Sequence, residues 1–188
     1  LPDDIRCQWI RPVCTDFHAR FSAQSRRYCY LIHCAPVASV WWQPYAWWCP
    51  HGLDIERMQQ AANAMLGMHD FSGLRGGDCQ AKCPIKTMHA IDVHFEGQMC
   101  AVVVHGMSFL HHMVRNMVGL LMQVGRGKKH IDWVDAVLHA KQRHPEVPMA
   151  PAHGLYFMQA YYDAHFGMPA PTAQGFLPAF LFQDMPLQ

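Results

Sequence analysis

The stretch SFLHHMVRNMVG, Ser108 to Gly119, continued by LLMQVG to Gly125, decides how the rest of the chain is read. Phe109, Leu110, Met113, Val114, Met117, Val118, Leu121 and Val124 recur at three- and four-residue steps, so the spacing predicts a core helix with one continuously apolar face. Arg115 stands one residue from that stripe. A guanidinium keeps its charge in a folded protein, so one drawn toward a core needs a carboxylate or phosphate partner. Finding that partner is the question the remaining sequence poses.

A chain of 188 residues with 51% hydrophobic content can bury a real core as one domain or two intimate half-domains. Charged residues make up only 15% and the net charge is +1, which excludes a generally basic protein that coats nucleic acid. Any RNA contact must therefore be local. Arg6, Arg11, Arg20, Arg26 and Arg27 near the start, and Arg75, Lys82 and Lys86 around Asp78, are such patches or else an ordinary solvated surface. No signal peptide opens the chain and no apolar run is long enough to cross a bilayer, so no membrane association is expected. Eight scattered cysteines in a chain this apolar read as reduced thiols in the cytoplasm. The chain starts at Leu1 without an initiator methionine, on what reads as a strand already under way, which suggests a fragment.

Outward from the helix, Met88 to Phe95 and Met99 to Val104 flank Glu96-Gly97-Gln98 and predict a hairpin whose second arm feeds the Arg115 helix. Arg26 to Ala35 (RRYCYLIHCA) alternates Tyr28, Tyr30 and Ile32 against Cys29, Leu31 and His33, a strand. A short strand is expected within Ile5 to Val13, and an irregular loop with packed aromatics from Pro36 to Pro50. Asp54 is a suitable N-cap for a helix from Ile55 to Leu66, ended by Gly67. His69 to Pro84 is polar, glycine-bearing and aperiodic, a loop. Ile131 to Lys141 predicts a short helix and Leu155 to Tyr162 a final strand. The mixture without regular alternation argues for an α+β fold with a mainly antiparallel sheet. Residues 1–162 form the domain, and 163–188 a tail rich in Pro and Ala expected to lie on a surface or a partner.

Several chemistries are disfavoured by residue type and spacing. Cys79 and Cys83 are four apart and His111 and His112 adjacent, but no second ligand pair follows, and neighbours on a helix cannot both face one ion, so no metal is expected. The histidines then read as surface or helix-capping groups. Neither a G-x-S-x-G elbow, a P-loop nor a G-x-G-x-x-G is present. What remains is an aromatic and arginine set: Arg27, Tyr28 and Tyr30 on a strand, Arg115 on the core helix, and polar loops carrying Arg20, Arg75, Gln80 and Lys82. A ring beside a buried guanidinium suits a flipped-out base, the ring stacking and the cation fixing an acid. Read by pattern alone, Tyr28 is better taken as a strand residue packing on its neighbours.

Specific blocks narrow the choice. Leu1-Pro2-Asp3-Asp4-Ile5, Phe17-His18-Ala19-Arg20-Phe21-Ser22-Ala23, Arg26-Arg27-Tyr28 with Tyr30, His69-Asp70-Phe71, Cys79-Gln80, Phe109 to Gly119 and Gly154-Leu155-Tyr156 together resemble the bacterial tRNA pseudouridine synthase A family in order and spacing. The resemblance covers about Leu1 to Tyr162. It implies a pseudouridine synthase-like half, with helices on one face of the sheet, from an isomerase that converts uridines of the tRNA anticodon arm to pseudouridine without metal or organic cofactor. It also implies a homodimer that grips tRNA. The family's nucleophile is an aspartate in an R-T-D-x-G-V-H motif, which this sequence does not contain, so the chain resembles the part that follows it and is expected to be inactive alone. By resemblance, Tyr28 stacks on the uracil, Arg115 pairs with the absent aspartate and Leu155 lines the uracil pocket. Phe17, His18, Ala19, Arg20 and Phe21, with Asp78, Cys79, Gln80, Ala81 and Lys82, correspond to tRNA-contacting loops. The sequence departs from the family pattern at Gly106-Met107-Ser108, Lys86 and Met149. A non-catalytic RNA-binding module and a metal-dependent regulator are the competing readings, separable by upstream sequence and by metal analysis.

Overall fold

The structure is a computed structural model that describes residues 1–7 and 9–169. Six strands form one mixed but mostly antiparallel sheet. Ala23–Cys34 is β1, Trp47–Cys49 β2, Gly67–Asp70 β3, Ile85–Glu96 β4, Met99–Gly106 β5 and Leu155–Tyr162 β6. The order is β2-β1-β5-β4-β3, with β6 pairing antiparallel to β1 and β2 parallel to it. The β4–β5 hairpin turns through Gly97 at φ 60°, a left-handed backbone that glycine adopts without steric cost. This is the α+β architecture the residue pattern predicts.

Helices α1 (Ile55–Asn63), α2 (Met113–Gly125) and α3 (Trp133–His139) cover one face of the sheet. Asp54 caps α1 as expected, its Oδ1 accepting from the Arg57 amide at 3.0 Å. Met58, Ala61 and Ala62 of α1 and Met117, Leu120 and Leu121 of α2 bury against Tyr30, Ile32, Val102 and Val104 of the sheet. Tyr30 and Ile32 are fully buried, and each such side chain is worth about 1.5–3 kcal/mol of transfer free energy. The other face is a smaller apolar cluster of Cys29, Leu31, Met99, Ala101 and Val103, covered by Ala46 with Trp42, Tyr156 and Met158. Strand alternation thus divides β1, sending Tyr28 and Tyr30 toward the helices and Cys29 and Leu31 away.

Several expectations are corrected. No strand forms among the described residues of Ile5 to Val13: Ile5, Trp9 and Ile10 are exposed, and their alternation meets no sheet face to bury against. The segment from Pro36 to Pro50 contains β2, too short to display a period, and Trp41 is 85% exposed rather than packed. The loop from His69 to Pro84 is partly structured, because β3 pairs with β4 and a 3-10 turn at Ser72–Leu74 buries Phe71 and Leu74 completely. Helix α1 ends at Asn63, before Gly67. The Arg115 helix starts only at Met113, since His112 adopts φ 61° and reverses the chain where the apolar period alone continues a helix. Helix α3 is shorter than predicted at both ends, whereas β6 spans Leu155–Tyr162 as expected. The predicted tail from 163 is described as far as position 169, with a 3-10 turn at Ala164–Phe166 that sets Phe166 against Phe17, and the rest of it lies outside the described residues.

Candidate active site

Strand β1, the turn before α2, the loop after β3 and the start of β6 converge on a cavity of about 630 Å³. Tyr28, Arg115 and Leu155 line it, with Phe109, His112 and Gln80. Arg20 and Cys79 reach the same space. The Tyr28 ring is held edge-on by Phe109 and Phe157, with centroids 5.2 and 5.4 Å away. Beside it the pairing of β6 with β1 slips by one residue between Arg27↔Gln159 and Tyr28↔Phe157, a bulge at Met158 of the kind that re-aims side chains. Burial raises the Tyr28 phenol above its ordinary pKa, so the hydroxyl is a neutral group at physiological pH.

Arg115 is positioned by two segments. Its Nε donates to the Ala150 carbonyl at 2.6 Å while its own carbonyl accepts from the Ala150 amide at 3.2 Å. That close seat exists because Gly119 has no side chain: a Cβ there falls 1.7 Å from the Pro148 carbonyl oxygen. The 148–151 segment therefore lies flat on α2, and the Tyr30 hydroxyl ties its end by donating to Pro151 at 2.7 Å. Nη1 of Arg115 lies 3.4 Å from His112 Nδ1. No carboxylate pairs with Arg115 among the described residues. Asp70 instead accepts from the Ser72 amide at 2.9 Å and lies 3.5 Å from Lys141 Nζ.

Two arginines that the sequence assigns to basic surface patches are internal clips. Arg75 donates to the Cys79 and Ala81 carbonyls and so shapes the loop that carries Gln80 into the cavity. Arg26 donates to the carbonyls of Arg20 (2.6 Å), Ala23 (3.0 Å) and Met107 (2.8 Å), fastening the Phe17 to Phe21 loop to the sheet. Within that loop the residues divide their work. Phe17 packs on Tyr162 and Phe166, the Ala19 carbonyl accepts from Tyr162, and His18 Nδ1 accepts from the Arg20 and Phe21 amides. Arg20 is left facing the cavity and Phe21 is 77% exposed. Phe17, His18, Ala19, Phe21, Asp78 and Lys82 do not line the cavity.

Arg27 is separated from Tyr28 by strand alternation and acts on Cys29 and His105 instead, while Tyr30 is a core residue. Burial pushes the Cys79 thiol up, but the Ala81 and His111 amides and Arg75 outweigh it, and its pKa is lowered overall. Sequence reasoning missed His112, whose side chain makes no helix-capping hydrogen bond. The one signal available was its place beside Phe109 and Arg115, because left-handed backbone at a histidine leaves no period to read. The described residues contain no group of three or more His, Cys, Asp or Glu side chains that could hold a metal ion, and among them no helix is long and apolar enough to cross a membrane.

A helix-backed antiparallel sheet with an aromatic and arginine cleft at its centre is the setting in which the comparisons with known proteins fall. Residues 61–163, more than half of the chain, match the family described as tRNA pseudouridine synthase. The chain belongs to that family. It is 42% identical over 175 residues to the tRNA pseudouridine synthase A of Bordetella petrii, covering 93% of this chain and 65% of that protein. The enzymes of the same name from Dechloromonas aromatica and Herminiimonas arsenicoxydans are each 43% identical, over 92% and 94% of this chain and 66% of their own lengths. The chain thus spans slightly less than two thirds of the length of these relatives.

Proposed function

We propose that this chain contributes the base-binding side of a tRNA-modifying isomerase, which detaches uracil from anticodon-arm uridines and rejoins it to ribose through carbon. The observation that carries this reading is the meeting of Tyr28, Leu155 and Arg115 in one cavity with no carboxylate on the guanidinium among the described residues. Tyr28 offers a stacking face to the base, held by two neighbouring rings, and Leu155 closes the apolar side. Arg115 receives the nucleophilic aspartate that this sequence lacks and holds it ionised. Arg20 and Lys82 meet backbone phosphate, and Gln80 reaches a base edge. The flanking residues Phe17, His18, Ala19, Phe21, Asp78, Cys79 and Ala81 shape those two contact loops. The protein works in the cytoplasm as a homodimer gripping tRNA.

The polypeptide alone binds anticodon-arm RNA and makes no pseudouridine from it. A gel-shift and a nucleoside analysis on the same unmodified stem-loop test both halves: binding weakened by Arg20→Ala and by Tyr28→Ala is expected. Pseudouridine produced by this chain without the aspartate motif, or no binding at all, overturns the reading. The alternative reading is an RNA-binding module without catalysis. A segment bearing that motif, added in trans, separates the two by restoring product in the first case only.

A further inference from the structure

The left-handed turn at His112 is held in place from several directions. It is the sole non-glycine residue with positive φ among the described residues, and backbone of that kind persists where the surroundings over-determine it. The His111 carbonyl accepts from the Gly76 amide at 2.8 Å, and the His111 amide donates to Cys79 Sγ at 3.3 Å. A Cβ on Gly76 falls 2.8 Å from the His111 carbonyl oxygen and 3.1 Å from the His112 ring, so glycine is required for the loop to close on this turn. What the turn achieves is the delivery of His112 Nδ1 to Arg115 Nη1 at 3.4 Å.

An arginine Nη is always a donor, so Nδ1 must be the acceptor, unprotonated, with the ring proton on Nε2. With Nε fixed on the Ala150 carbonyl, this second contact sets the plane of the guanidinium. We propose that neutral His112 is the positioning residue that aims Arg115 into the Tyr28 cleft, so that the site is set while the ring is neutral and released when the ring is protonated. The purpose of the aimed guanidinium rests on the uridine-site reading; the coupling of the two side chains does not.

The groups around the ring support the sign. Burial, the stacked His111 ring at 3.7 Å and the Arg115 cation all disfavour an imidazolium, Asp78 favours one, and the net effect lowers the His112 pKa. The turn's other close neighbour is the Cys79 thiol. Protonation removes the acceptor and places two cations side by side. Restraint of Arg115 is therefore present while the ring is neutral and lost as pH falls through a folded-state value that lies below the ordinary histidine pKa of about 6.5.

Two substitutions separate the acceptor from the backbone. Gly and Asn both tolerate left-handed φ, but only Asn supplies an acceptor oxygen. Nitrogen NMR of the whole chain is expected to find the His112 proton on Nε2 at neutral pH. Hindered rotation of the Arg115 guanidinium is expected to speed up roughly fivefold in His112→Gly, the loss of one hydrogen bond, and to stay near wild type in His112→Asn. Acidification is expected to release the wild type and leave His112→Gly unchanged. Equal rotation in wild type and His112→Gly, or a ring carrying its proton on Nδ1, overturns the proposal. Acetate, the simplest carboxylate, provides the second arm. It is expected to shift Arg115 in the wild type with roughly fivefold weaker affinity in His112→Gly. Acetate that never perturbs Arg115, in a chain whose rotation data show the coupling, retires the carboxylate-pairing reading and leaves the His112 proposal standing.

Discussion

Arg143 and Arg115 occupy two seats built from the same parts and used differently. At the first, Gly73 approaches α3 so closely that a Cβ falls 2.0 Å from the Val137 carbonyl oxygen, and Arg143 donates to the carbonyls of Gly73, His144 and Val147. At the second, Gly119 admits the Pro148 segment, and Arg115 spends only Nε on a carbonyl, with Nη1 at a ring nitrogen. The chain's own acid beside these elements, Asp70, belongs to the first seat through Ser72 and Lys141. One guanidinium is consumed as mortar between backbone segments. The other is held by one edge so that the rest of its fork faces a cavity, which is the disposition of a group with a job beyond the fold.

The comparison breaks most visibly at the glycines. Gly119→Ala and Gly73→Ala each drive a methyl into backbone rather than into a flexible side chain, and each is expected to cost about 3 kcal/mol or more of stability in urea denaturation. Only Gly119→Ala should also displace Arg115, measured as a loss of acetate response in the fraction that remains folded. Arg143→Met removes three donations but orphans only the Val147 carbonyl, since the Gly73 and His144 carbonyls keep the His144 and Val147 amides, and is expected to cost about 2 kcal/mol without altering RNA affinity. Arg115→Met, with a single carbonyl orphaned, is expected to cost about 1 kcal/mol and to abolish the site's function.

The two tyrosines of β1 sharpen the same contrast on a smaller scale. Tyr30→Phe removes a buried hydroxyl that donates to Pro151 and is expected to lower stability by about 1 kcal/mol. Tyr28→Phe, whose hydroxyl has no hydrogen-bond partner among the described residues, is expected to stay within about 0.5 kcal/mol of wild type. The smallest effect lies at Asp70. Hydrogen bonds from Ser72, then Lys141, hold its carboxyl below the usual carboxylate range. The unfolded chain therefore takes up the proton first as pH falls. Its contribution is complete above the ordinary value of about 3.9 and lost as pH drops through the folded value, so acid titration of Asp70→Asn should lack that part of the wild-type slope.

Periodicity over long elements was legible in the residues themselves. The alternation in β1, the hairpin around Gly97, the Asp54 cap and the apolar face running through Leu121 and Val124 each follow from local sterics and from which side chains must leave water, and both terms act within a few residues. Composition likewise ruled out a generally basic coat. Short elements were not legible: β2 and β3 carry too few residues to show a period and exist because a neighbouring edge offers hydrogen bonds.

Tyr28, Arg115 and Leu155 were named from a resemblance, but their convergence belongs to the tertiary structure. Whether an arginine is mortar or is left facing a cavity depends on which carbonyls and carboxylates the fold brings to it, and those lie 35 to 70 positions away in the chain for Ala150 against Arg115 and Gly73 against Arg143. The same holds for Arg26 and Arg75, basic residues by sequence and clips by structure, and for His112, whose backbone departs from the helical period because Gly76 and Cys79 meet it. Local sequence determines how a segment curls and which face it buries. Only contacts between distant segments determine which charges are spent and which remain facing the cavity.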